Sequence, residues 1–201
     1  MRTIKLIVAL VLWGSAYAWA DVGMITQMSG EVSITTSGGA KAAVPFIKVN
    51  AGDKLTLAGD ARLQLVYFGN GRQEVWKGSA QFEVGSVESK STAKPEVTQL
   101  PPLVVSKLAK TPAAGQQGAT GMVRVRSMGN PSAAERLEKQ YTELRNSAAA
   151  DDTTPEVFFL SGLIEIREFA RAKTVLSVLG GKADYKPLVD HFTPLVNAGA
   201  K

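Results

Sequence analysis

Apolar and polar residues alternate with a period of two from Val22 to Gly85, and beyond Ser132 the period changes to 3.6. The first pattern predicts strands that turn one face to a core, the second helices with an apolar stripe. The β part is organised around the run from Arg62 to Lys77. There Leu63, Leu65 and Tyr67 alternate with Arg62, Gln64, Val66 and Phe68; Gly69, Asn70 and Gly71 interrupt, and Gln73, Glu74, Val75 and Trp76 resume. Alternation on both sides of a Gly-Asn-Gly turn reads as a β-hairpin, and these turn residues tolerate the positive φ of tight hairpins. Val32, Ile34 and Thr36 mark a strand before it, Phe46 to Val49 a second, Leu55 and Leu57 a third; Ala80, Phe82 and Val84 mark one after it. Short strands punctuated about every eight to twelve residues predict a sandwich, roll or barrel.

Residues 86–130 change character. Ser, Thr, Lys, Pro and Gly dominate from Ser86 to Pro95 and again from Thr111 to Gly121, which reads as linker. Between them Leu100, Leu103, Val104 and Leu108 recur at helical spacing after Pro101-Pro102, and Met122 to Arg126 alternates as a short strand. Ser132-Ala133-Ala134-Glu135 is a capping box that opens a helix striped by Ala134, Leu137, Tyr141 and Leu144. Thr153 or Thr154 caps the next helix, lined by Val157, Leu160, Leu163 and Ile164. A third follows along Phe169, Ala172, Val175, Leu176 and Leu179, with Gly180-Gly181 as its stop. Asp184 caps a last one, with Tyr185, Leu188, Val189 and Phe192, which Pro194 disturbs. The fold class expected is α+β: a β domain over residues 21–86, a linker with a short helix and strand over 87–130, and a small helical domain over 131–201.

The first twenty residues stand outside that fold. Arg2 and Lys5 precede the apolar run Leu6 to Trp13, and Ala18-Trp19-Ala20 offers small residues at the positions a signal peptidase reads. This is an export signal; a bilayer span needs about 20 apolar residues. The expected location is the periplasm, with no transmembrane span after cleavage. Cysteine is absent, which excludes disulfides, a thiol nucleophile and cysteine-ligated metal. Removing Arg2 and Lys5 leaves 21 cationic against 18 anionic side chains, a net charge of +3. That mild excess gives no reason to expect nucleic acid, although it permits weak attraction to anionic envelope polymers.

Gly30-Glu31-Val32, Val49 to Leu55 with its Gly52-Asp53 pair, Gly59 to Tyr67, Asn70-Gly71-Arg72 and Phe82-Glu83-Val84 together resemble a FecR-like periplasmic domain. The resemblance covers residues 22 to 86. It implies a β-rich envelope module used for binding or scaffolding, without catalysis or cofactor. FecR relatives that control sigma factors carry a cytoplasmic segment and a membrane span ahead of this domain, where this chain has its export signal. Pro155 to Leu179 resembles one tetratricopeptide-like hairpin, with Leu163, Phe169, Ala172 and Leu176 near the packing positions and Leu160 where a glycine is expected. A lone copy fits a small bundle better than a repeat array.

Candidate chemistry is sparse. His191 is the single histidine, beside Asp190 in a helix and without a visible partner cluster, so it reads as a surface or half-buried residue. Asp53 reads as a turn former, Asp151-Asp152 and Asp184 as loop and cap residues. The Gly-Asn-Gly and Gly-Gly pairs lack the helix and lysine of a phosphate loop. Five residues are candidates for partner binding: Phe68, Arg72 and Trp76 on the hairpin, since Trp and Arg are common hot-spot residues, and Arg124 and Arg126, which could meet phosphate or carboxylate. The simpler account of Val66 and Phe68 is a sheet buried on both faces, and of the two arginines a solvated strand. The expected function is a non-catalytic periplasmic binding or scaffold protein that holds an envelope polysaccharide or a protein. Envelope signal sensing through a membrane-anchored partner is the alternative, and carboxylate chemistry by Glu74 and Glu83 across a groove comes third.

Overall fold

The computed structural model describes residues 21–116 and 131–200, and it is α+β. Ten strands form two antiparallel sheets. Sheet A, in the order β10-β7-β6-β1-β4, joins β1 (Gly23–Ser29), β4 (Lys48–Val49), β6 (Arg62–Tyr67), β7 (Arg72–Lys77) and β10 (Glu96–Gln99). Sheet B, in the order β3-β2-β5-β8-β9, joins β2 (Val32–Thr36), β3 (Gly39–Ala42), β5 (Lys54–Leu57), β8 (Ala80–Val84) and β9 (Ser89–Lys90). The chain changes sheet repeatedly, which is why its strands are short. Ile25, Ile34, Leu55, Leu63, Leu65, Tyr67, Trp76 and Phe82 fill the space between the sheets.

The predicted hairpin is β6–β7, with Leu63 opposite Trp76 and Leu65 opposite Glu74. Gly71 alone of its turn residues has positive φ, at 72°. A Cβ there would lie 2.8 Å from the Leu100 carbonyl oxygen, whereas one on Gly69 would meet nothing closer than 3.9 Å. Gly71→Ala is therefore expected to cost about 2–3 kcal/mol in a denaturant melt. Gly69→Ala is expected to stay within about 0.5 kcal/mol, and equal effects would contradict the turn geometry.

Five helices form the third layer: α1 (Pro102–Lys110), α2 (Pro131–Ser147), α3 (Thr154–Glu165), α4 (Phe169–Leu179) and α5 (Lys186–Gly199). The apolar α3 is buried along most of its length and touches all four others. The helical stripes pack into one core together with Met24 and Val66, which project from the outer face of sheet A, and with Phe46. Sheet A is thus covered on both faces, by sheet B and by the helices.

Beside this apolar contact lies a buried polar one. The carboxylate of Asp152, at the start of α3, accepts from the Thr154 backbone N–H at 2.8 Å, Gln64 Nε2 at 2.9 Å and Gln73 Nε2 at 3.1 Å. Gln64 Nε2 also lies 3.1 Å from Thr26 Oγ1 and 2.7 Å from Thr154 Oγ1. Arg145 holds the loop ahead of α3: its Nη1 donates to the Asp152 carbonyl at 2.6 Å and pairs with Glu156 at 3.1 Å. Burial raises the pKa of Glu156, with the Arg145 charge working against the rise.

Several expectations are corrected. The region 87–130, read as a linker with a short helix and strand, also carries β9, inside the Ser86–Pro95 linker stretch, and β10 just after it, because backbone pairing with β8 and β7 needs no apolar alternation. Phe46 is not in a strand: it takes a left-handed φ of 64° and sends its ring into the helical core. The strand β3 begins at Gly39, inside the predicted Gly38-Gly39 turn, and all four of its residues are exposed. Neither Thr153 nor Thr154 caps α3 through its hydroxyl; Asp152 does. Pro194 sits inside α5, which continues to Gly199. The predicted strand Met122–Arg126 and the Ser132 hydroxyl of the capping box lie outside the described residues.

Candidate functional site

The hairpin positions the first group of candidates, and most of them turn inward. Trp76 is 2% exposed; its ring stacks on Phe82 at 4.1 Å between centroids and 14° between planes. Its indole N–H donates to Glu74 at 3.2 Å. The Trp76 ring is therefore part of the sandwich core, on the same strand face as Glu74. Phe68, one residue past β6, packs against the helical core and is half-buried. Arg72 is also half-buried: Nε donates to Glu74 Oε1 at 2.7 Å, and Nη2 lies 3.7 Å from Glu88. Arg124 and Arg126 lie outside the described residues.

Glu74 and Glu83 stand on different sheets. Glu74 is fully buried and accepts from Arg72, Trp76 and the Ser89 backbone N–H. Glu83 pairs with Lys90 at 3.1 Å on sheet B. Tyr67, in the same interior, shares a hydrogen bond of 2.8 Å with Ser89, and burial pushes its hydroxyl pKa well up. Asp151 pairs with Arg62 at the junction of sheet A and the helices. Among the described residues no group of three or more His, Asp or Glu side chains is placed to hold a metal.

His191 is more buried than its sequence suggested, at 7% exposure. Its ring stacks on Phe46 at 4.4 Å and meets Phe192 edge-on at 5.1 Å. Burial lowers its pKa to about 4, opposed by a hydrogen bond to the Pro112 carbonyl. Nε2 is buried without a partner. A shallow groove of about 480 Å³ runs over this contact, between Pro45, Phe46, Ala114 and Gly115 on one side and Lys186, Pro187, Asp190 and His191 on the other.

A second cleft, of about 450 Å³, opens where edge strand β4 of sheet A faces the β2–β3 hairpin of sheet B. Ile34 and Ile47 line it together with Asp21, Lys41, Lys48, Asn50 and Asp53. Asp53 is 5% exposed and takes the Asn50 backbone N–H at 2.8 Å, while its own N–H returns to the Asn50 carbonyl at 3.2 Å. Asp53 is thus the turn former read from the sequence and also part of a cavity wall. The Asn50 Oδ1 is buried without a partner. Lys48 donates to the Ala109 carbonyl at 3.1 Å and lies 3.4 Å from Asp21. Lys41 is exposed and carries no ion pair among the described residues. Sequence reading marked the Asn50–Asp53 turn but not Lys41 or Lys48, which meet it only through the packing of two sheets.

No protein-family model matches the chain, and neither does any curated protein or solved structure.

Proposed function

We propose that this chain is a non-catalytic binding and scaffold protein of the bacterial cell envelope, exported to the periplasm, and that it holds a protein partner. The observation that carries the reading is the open edge of sheet A. All four residues of β10 are exposed, and Val97 keeps 47% of its surface. An uncovered strand edge offers a row of backbone donors and acceptors to an added strand. The export signal and the FecR-like motifs support the location. Among the described residues every tryptophan, tyrosine and phenylalanine is buried or half-buried, which leaves little flat aromatic surface for sugar rings to stack on and favours a protein partner over a polysaccharide.

Site-specific photocrosslinking tests this. A crosslinker at Val97 is expected to give one discrete protein adduct in intact cells, and one at Thr56, on the outer face of sheet B, to give none. Cosedimentation with purified cell-wall sacculi and no adduct at Val97 would replace the protein partner by a polysaccharide. Turnover of envelope substrates by the purified protein would overturn the non-catalytic reading. An inner-membrane protein in the adduct would mark the role as regulatory.

A further inference from the structure

We propose that the cleft between β4 and the β2–β3 hairpin binds a small zwitterion, a free aliphatic amino acid or dipeptide. The charged groups that line the cleft differ in sign. Its inner wall presents the buried Asp53 carboxylate, which accepts one backbone N–H and has no ion pair among the described residues. A carboxylate held by a single backbone donor calls for a further donor, best a cationic one. The lining also includes exposed Lys41, free of ion pairs among the described residues, and Lys48, whose ammonium is divided between the Ala109 carbonyl and Asp21. These lysines call for a carboxylate.

Half-buried Ile47 supplies an apolar wall, backed by the fully buried Ile34. An ammonium, a carboxylate and an aliphatic side chain on one small frame answer all three features. The volume of about 450 Å³ suits such a molecule. A phosphate dianion would face Asp21 and Asp53, and no aromatic ring lines the cleft for a sugar to stack on. The site lies at the opposite edge of sheet A from β10, so it stands or falls independently of the protein partner.

Titration calorimetry on the purified protein tests it with alanyl-leucine as the probe, beside its N-acetyl form, its C-terminal amide and glucose. The free dipeptide is expected to bind, and capping the amine to weaken binding at least about tenfold. Capping the carboxylate is expected to weaken it about three- to tenfold. Lys41→Gln should weaken the free dipeptide by that same factor and leave the amide unchanged, which separates loss of the carboxylate contact from misfolding. Absence of binding at millimolar dipeptide, equal affinity for all three peptide forms, or preference for glucose would each overturn the proposal.

Discussion

Asp152→Ala is expected to lower the free energy of unfolding by about 3–5 kcal/mol, read from urea melts. The side chain caps α3 through the Thr154 N–H and receives the amides of Gln64 and Gln73 from the outer face of sheet A. Loss of the cap alone costs about 1 kcal/mol. Each glutamine donor stranded at a buried site adds about 1–3 kcal/mol, reduced for Gln64 because Thr26 and Thr154 stay within reach. Asp152→Asn keeps one acceptor for the cap but turns an NH₂ group toward a glutamine NH₂, so roughly half the loss is expected. Hydrogen exchange should show faster opening at α3 and at β6–β7 together. A loss under about 1 kcal/mol for the alanine variant would mean that the polar contact does not hold the helices on the sheet.

That contact explains how far the sequence could be read. Alternation placed Gln64, Val66 and Phe68 on one face of β6 and Leu63, Leu65 and Tyr67 on the other, and the structure keeps that division. What covers the first face comes from about ninety residues further along, because Asp152 sits in a loop whose partners are named by packing and not by local pattern. Helix periodicity was legible in the same way: the stripe of Ala134, Leu137, Tyr141 and Leu144 faces the bundle. The positions of β9 and β10 were not legible, since an edge strand exposed to solvent has no alternation to display.

The candidate site divides along similar lines. Trp76 looked like a surface anchor because an aromatic residue flanking a turn has no sequence mark telling which sheet face it takes. Its neighbour Glu74 is a carboxylate in a run that otherwise reads as core, and the pair form one buried hydrogen bond. The cleft assembles Lys41, Lys48 and Asp53 from β3, β4 and the turn before β5, each unremarkable in its own segment. Clefts of this kind follow from sheet order, and sheet order is a long-range property.

The protein is expected to lose about 3 kcal/mol of stability through His191 alone when the pH falls from 7 to 4. The unfolded imidazole titrates near 6.5, while the folded one, buried against Phe46 and Phe192, titrates at about 4. Between those values the unfolded chain binds more protons than the folded one, so stability rises with pH across that window. The contribution is fully present above 6.5 and is lost by about 4. Lys186 and Asp190 on its own helix pair with each other at 2.6 Å and line the groove beside it; the rings packed on it carry no charge. Glu156 acts in the opposite sense. Its raised pKa means that it takes a proton in the folded state first, so acidification above its unfolded value favours folding. A bulk melt sums these two with Glu165 and Glu96, whose pKa values Lys107 and Lys77 hold down and which therefore lose stability as the pH falls. Subtracting the pH profile of His191→Leu from that of the unaltered protein isolates the imidazole, because the variant keeps Glu156. The difference curve is expected to drop across pH 6.5–4 and to level off on either side. A flat difference would mean that the folded imidazole titrates where the unfolded one does, so that packing against Phe46 and Phe192 leaves its protonation unchanged.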